Sequence, residues 1–156
     1  MGPIEAIKTC FQKYFVISGR ATRSEFWWFY LFNILLPFAT TPLDVILFGA
    51  SEDGGFITIV TGLIVIIPLF TATVRRLHDT GRSGWFQLIP LAGVIAGVAI
   101  GAALGPLLGS LGSILAGLVM VASITWLLVV LATKSDAGEN KYGAPDNTVD
   151  VGEVFE

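Results

Sequence analysis

The chain reads as an all-α polytopic membrane protein, a bundle of four transmembrane helices preceded by an amphipathic surface helix. Three observations predict this. First, 54% of the 156 residues are hydrophobic and only 13% charged, with a mean hydropathy of +0.78, whereas soluble domains carry about a quarter charged residues. Second, no charge occurs in the 51 residues from Ser83 to Thr133. One helix crosses ~30 Å of hydrocarbon with roughly 20 residues, so this stretch suits two crossings. Third, all nine Lys and Arg fall in three segments. Lys8, Lys13, Arg20 and Arg23 precede the first apolar stretch. Arg75, Arg76 and Arg82 separate the second from the third, and Lys134 and Lys141 follow the last. Four spans place every basic residue on one side, and the positive-inside rule makes that side cytoplasmic, both termini included. Three or five spans would put Lys134 and Lys141 outside.

Each element can be justified in turn. Over residues 3–15, Ile4, Ile7, Phe11 and the pair Tyr14-Phe15 recur at helical spacing, with Glu5, Lys8, Gln12 and Lys13 on other faces. That pattern is an amphipathic helix, too short and polar to span. It is expected on the inner headgroup layer or on the ends of the spans. The first span is placed at about 26–41, kinked at Pro37, with Thr41-Pro42 opening a short further helix. Asp44 then lies in that helix's first turn as a solvated interfacial carboxylate. Residues 49–55, with Ser51, Glu52, Asp53 and paired glycines, form a loop. The second span is about 56–74. Gly105-Pro106 to Ser113 is the turn-forming break between the third span, about 85–104, and the fourth, about 111–132. Residues 1–145 make a single membrane domain, and residues 146–156 a flexible cytoplasmic tail.

Composition also excludes function classes. A net charge of -3 argues against nucleic acid as a partner. The lone Cys10 permits no internal disulfide. One histidine and one cysteine supply no zinc ligand set, so no metal and no cofactor are expected. Gly93, Gly97, Gly101 and Gly105 recur every four residues and share one helix face, which lets another backbone approach closely. Packing of this strip on the fourth span is favoured; a homodimer through it is the alternative.

Polar chemistry gathers on the basic side in three segments. In Ser18-Gly19-Arg20-Ala21-Thr22-Arg23-Ser24-Glu25-Phe26-Trp27, Thr22 and Glu25 have capping-box spacing. Arg75-Arg76-Leu77-His78-Asp79-Thr80-Gly81-Arg82-Ser83-Gly84-Trp85 puts cations at a helix C-terminus, where they complement its dipole. Ser135-Asp136-Ala137-Gly138-Glu139-Asn140-Lys141-Tyr142-Gly143 follows the last span.

These three pieces, in this order, resemble the bacterial inner-membrane family called domain of unknown function 805, over about Phe11 to Pro145. The resemblance implies a small multi-span helical protein of the inner membrane and brings no activity, cofactor or catalytic residue with it. The glycine-rich third span and the acidic last residues depart from the pattern.

The residues themselves point to an arginine-carboxylate cap. Arg20, Arg23, Arg75, Arg76, Arg82 and His78 are the candidate ligand-binding groups for an anionic phospholipid headgroup, a phosphorylated ligand or a partner protein. Glu25, Asp79, Glu139 and Asn140 are the supporting polar network. The same groups could instead form an ion-paired lock, because guanidinium pairs bidentately with carboxylate. Two other classes compete. One is a membrane enzyme acting on a lipid phosphate through Asp79, His78 and Glu25; the other is a small oligomeric transporter. The chain has no HExxH, GxSxG or phosphate-loop motif.

Overall fold

The structure is a computed structural model and describes residues 1–49 and 55–145. The loop acids Glu52 and Asp53 and the tail expected at 146–156 lie outside the described residues. Five α-helices run in order: α1 Pro3–Gln12, α2 Arg23–Phe48, α3 Phe56–Asp79, α4 Ile89–Leu108 and α5 Ser110–Ala132. A 3-10 segment, Gly84–Leu88, leads into α4. The four helices α2, α3, α5, and α4 with its 3-10 lead-in are each long and apolar enough to cross a membrane. α2 packs along α3 and α4 along α5, while α1 lies across α2. α3 joins the two pairs through the 3-10 segment and α5.

The helix ends follow local chemistry. Pro3 starts α1, and the Glu5 carboxylate accepts the Gly2 amide at 3.1 Å. Ala6 and Cys10, one turn apart, are buried, and Ile7 and Phe11 pack against the core beside them. Ile4 and Phe15 remain exposed. Thr22 caps α2 by accepting the Glu25 amide at 3.1 Å. Only that half of the expected capping box forms: the Glu25 carboxylate turns away to Arg75.

α2 differs from expectation at its far end. It is one helix of 26 residues that continues through Pro37 and Pro42, with no break at Thr41. Each proline removes one backbone donor from the helix, and two polar side chains of α2 donate back to carbonyls of their own helix. The Thr40 hydroxyl donates to the Leu36 carbonyl at 3.2 Å, and Asn33 Nδ2 donates to the Phe29 carbonyl at 2.8 Å.

Asp44 is not a solvated carboxylate. It is buried on α2 and accepts the Ile57 amide at 2.7 Å, the Thr58 amide at 2.9 Å and the Thr58 hydroxyl at 2.8 Å. The N-cap of α3 is Gly55, which has no side chain to satisfy those first-turn amides. Asp44 performs the capping from the neighbouring helix. A Cβ on Gly55 would sit 1.9 Å from the Asp44 carboxyl carbon, so the glycine is required by this close approach.

Gly93, Gly97 and Gly101 of the α4 strip face α5 of the same chain, whereas a Cβ on Gly105 would meet nothing within 4 Å. A Cβ on Gly93 would fall 2.0 Å from Ser123 Oγ, and one on Gly97 would fall 2.5 Å from Met120 Cγ and 2.9 Å from the Ala116 carbonyl. Gly101 is looser, with Ala116 Cβ at 3.5 Å. The break expected over Gly105-Pro106 to Ser113 is the single residue Gly109, because α4 continues through Pro106 to Leu108 and α5 opens at Ser110; in the first turn of α5, Gly112 abuts the backbone of Leu104 and Gly105.

Candidate functional site

The arginines converge at the end of the bundle that holds α1, the start of α2, the end of α3 and the segment after α5. Their first task is internal. Arg20 precedes α2 in a turn enabled by Gly19 at φ +80°. Its guanidinium is buried with every nitrogen engaged. Nε donates to Asp79 Oδ1 at 2.8 Å; Nη1 donates to the carbonyls of Gly138 and Gly143; Nη2 donates to those of Asp136 and Asp79. Arg76, near the end of α3, is fully buried as well. It donates from Nε to the Leu131 carbonyl at 2.9 Å, from Nη1 to Asp79 Oδ2 and to Ser135 Oγ, and from Nη2 to the Thr133 carbonyl. Arg76 thereby satisfies carbonyls left open at the C-terminus of α5. Asp79 sits between the two guanidiniums and holds both.

Arg75 and Glu25 form a second buried pair under α1. Cys10 donates to the same Glu25 oxygen at 3.8 Å. Burial, and then the Glu25 charge, push the Cys10 thiol up to about 12. The pair is incompletely satisfied: Glu25 Oε2 and Arg75 Nε and Nη2 have no hydrogen-bond partner among the described residues.

The segment after α5 is tied down by backbone and ring contacts. The Asp136 amide donates to the Asp79 carbonyl at 3.0 Å. Asn140 Nδ2 donates to the His78 carbonyl at 3.0 Å and to Asp136 Oδ2 at 3.1 Å. Asn140 also closes a tight turn with Gly143, and its Oδ1 accepts the Tyr142 amide. The His78 ring stacks on Tyr142 with centroids 3.7 Å apart and planes at 5°. His78 Nδ1 faces the Gly19 carbonyl at 3.3 Å. A carbonyl only accepts, so this contact requires a proton on Nδ1.

The predicted residues thus divide. Arg20, Arg75 and Arg76 are turned inward into ion pairs, and Glu25, Asp79 and Asn140 are their partners or neighbours. Arg23 is exposed, Arg82 is half-buried, and neither guanidinium makes a hydrogen bond or ion pair among the described residues. Glu139 is exposed and joins none of these contacts. His78 and Asp79 are adjacent in sequence but do not form a dyad: both Asp79 oxygens go to arginines, and His78 goes to a backbone carbonyl. Sequence reasoning missed the main-chain acceptors at 131, 133, 136, 138 and 143, the Tyr142 stack and the Cys10 contact. The run from Gly138 to Gly143 was visible as a motif, but carbonyl acceptors leave no mark on residue type.

Two clefts flank the locked arginines. One, of about 580 Å³, is lined by Thr22, Arg23, Ser24, Lys134, Ser135 and Asp136, between the N-terminus of α2 and the start of the segment after α5. The other, of about 350 Å³ and mostly apolar, lies between the last turns of α3 and the 3-10 segment.

The chain is 39% identical over 79 residues to inner membrane protein YhaH of Escherichia coli (strain K12); the match covers 50% of this chain and 65% of YhaH. It is 28% identical over 134 residues to inner membrane protein YhaI of the same strain, covering 85% of this chain and 86% of that one. Uncharacterized protein YiiR, also from that strain, is 29% identical over 136 residues, covering 83% and 84%. No solved structure matches the chain. The family described as protein of unknown function (DUF805) matches residues 14–144, and the four-helix membrane protein described above belongs to it.

Proposed function

We propose that the arginine end faces the cytoplasm and that the protein is a non-enzymatic binder of phosphate-bearing anions there. The inward arginines act as the lock of the fold, and the outward cations act as the recognition surface. One observation carries this reading: Arg23 and Lys134 both line the 580 Å³ cleft and neither has a carboxylate partner among the described residues. The cleft also takes in the first turn of α2, where the amides of Arg23 and Ser24 precede the first helical hydrogen bonds. A helix N-terminus favours negative charge through its dipole and its free amides. The Ser24 and Ser135 hydroxyls add donors. Asp136 is the single acid in the lining, and its Oδ2 is already engaged by Asn140. Juxtamembrane Lys and Arg each attract anionic lipid by ~1 kcal/mol, so this pair contributes ~2 kcal/mol toward holding a phosphate group in the cleft.

The phosphate can belong to a lipid headgroup or to a soluble molecule. The test measures both on protein in mild detergent, by native mass spectrometry with added phosphatidylglycerol and with added glycerol 3-phosphate. Arg23→Gln/Lys134→Gln is expected to lose the adduct with its fold intact, while a control at exposed Lys8 keeps it. A lipid-only adduct identifies a headgroup site, and one formed equally by glycerol 3-phosphate identifies a soluble ligand. Adducts unaffected by the double substitution would refute the assignment.

A further inference from the structure

We infer that the 350 Å³ cleft beside the His78-Tyr142 stack is a binding site for a single anionic phospholipid, holding the upper part of an acyl chain and presenting the phosphate to Arg82 and Lys141. The inference rests on the reading that this end of the bundle lies among the inner-leaflet headgroups, but it concerns different residues.

The walls come from three elements. Phe70 and Val74 project from α3, Trp85 and Leu88 from the 3-10 segment, and the stacked His78 and Tyr142 rings close the polar end. Gly84 shapes the junction: a Cβ there would come within 2.8 Å of Val74, so the 3-10 segment leans directly on α3 in the wall of the cleft. The volume lies in the ordinary range for small-ligand sites, and the lining is apolar with a few polar groups at one end, as such sites usually are. The polar end is also where the unpaired charge lies. Arg82 adjoins the lining residue Ser83, and its guanidinium has no ion pair or hydrogen bond among the described residues. Lys141 Nζ stands 4.9 Å from the centroid of the Tyr142 ring and has no carboxylate partner among them either.

Depth favours a lipid over a soluble partner. Phe70 lies nine residues before the end of α3, about 13 Å along the helix axis at 1.5 Å per residue. The cleft therefore runs from the cation-bearing end down into the zone where α3 must face hydrocarbon. Trp85 is 78% exposed at its rim, the position where an indole anchors to the headgroup boundary. An occupant must be apolar below and anionic above. A bilayer phospholipid meets both requirements and is always present at high local concentration.

The test uses the full chain, delipidated in mild detergent and titrated with dioleoyl phosphatidylglycerol, with bound lipids counted by native mass spectrometry. Four proteins are compared: wild type, Arg82→Gln/Lys141→Gln, Leu88→Trp to fill the cleft from its exposed rim, and Arg23→Gln/Lys134→Gln. Melting temperatures confirm that all are folded. Besides any adduct at the Arg23-Lys134 cleft that the fourth protein loses, wild type is expected to retain one further lipid whose affinity falls roughly tenfold or more in the second and third proteins and stays unchanged in the fourth. Wild-type binding in both the second and third proteins overturns the inference. So does loss with the charge variants alone while Leu88→Trp binds normally, because that means surface attraction without a chain site. Loss confined to Arg23→Gln/Lys134→Gln overturns it too, and assigns the lipid to the other cleft.

Discussion

Replacing Arg76 by Gln gives the most direct measure of what the buried arginines do. The side chain is fully buried, and its guanidinium contacts Asp79, Ser135 and the carbonyls of Leu131 and Thr133. Glutamine cannot carry the charge or span the same acceptors. Asp79 keeps Arg20 but loses half of its compensation, and two carbonyls at the end of α5 lose their donor. Breaking a buried ion pair by removing one partner costs ~3–5 kcal/mol, because the other charge stays behind in a poor solvent. For a chain of this size each kcal/mol moves the melting temperature by ~2–4 °C, so Arg76→Gln should melt about 10 °C lower. Hydrogen exchange should also accelerate at residues 131–143, which Arg76 and Arg20 hold against α3. Arg76→Lys should recover little, since an ammonium lacks the planar fork. Arg23→Gln is the internal control: with no partner to lose, its stability should stay within about 0.5 kcal/mol of wild type. A melting temperature for Arg76→Gln within about 2 °C of wild type, with unchanged exchange after α5, would refute the lock.

Four further outcomes follow from the same structure. Asp44→Ala should cost ~1–2 kcal/mol as a lost helix cap, Gly55→Ala should be comparably damaging through its clash with Asp44, and the double variant should cost less than the sum, as denaturation in detergent would show. Gly97→Ala should destabilise the α4–α5 pair by ~1–3 kcal/mol because the Ala116 backbone cannot yield, while Gly101→Ala, in ordinary contact, should be near neutral by the same measurement. Cys10, with its thiol raised to about 12, should resist maleimide at neutral pH until the protein unfolds. Since the unfolded thiol ionises near its ordinary value of 9.0, stability should be flat below that pH and fall between there and about 12, where the unfolded state releases its proton first. Finally, in a Cys10→Ser background, a cysteine at Ser51 should label from outside the cell and one at Lys141 only after permeabilisation; identical labelling would reject the proposed orientation.

What the sequence determined by itself was where the membrane helices are and where the charges lie, because both are sums over neighbouring residues. A 51-residue stretch without charge, a strip of glycines every fourth position and nine clustered cations state their meaning without any knowledge of what packs on what. Pairing is different, since it depends on distances between residues far apart in the chain. Local spacing made Glu25 half of a capping box, but the tertiary structure places the buried Arg75 guanidinium beside it, and an unpaired buried cation costs far more than one helix-end amide. Local composition made Asp44 an interfacial acid and Pro42 the start of a new helix. Across the bundle, a side-chainless Gly55 leaves the first amides of α3 open, and only an intact α2 brings Asp44 to them. The five arginines looked alike in the sequence. The fold separated them, because a guanidinium taken out of water must find its acceptors within the protein: Arg20, Arg75 and Arg76 are held inside, while Arg23 and Arg82 remain at the surface, where a ligand can still reach them.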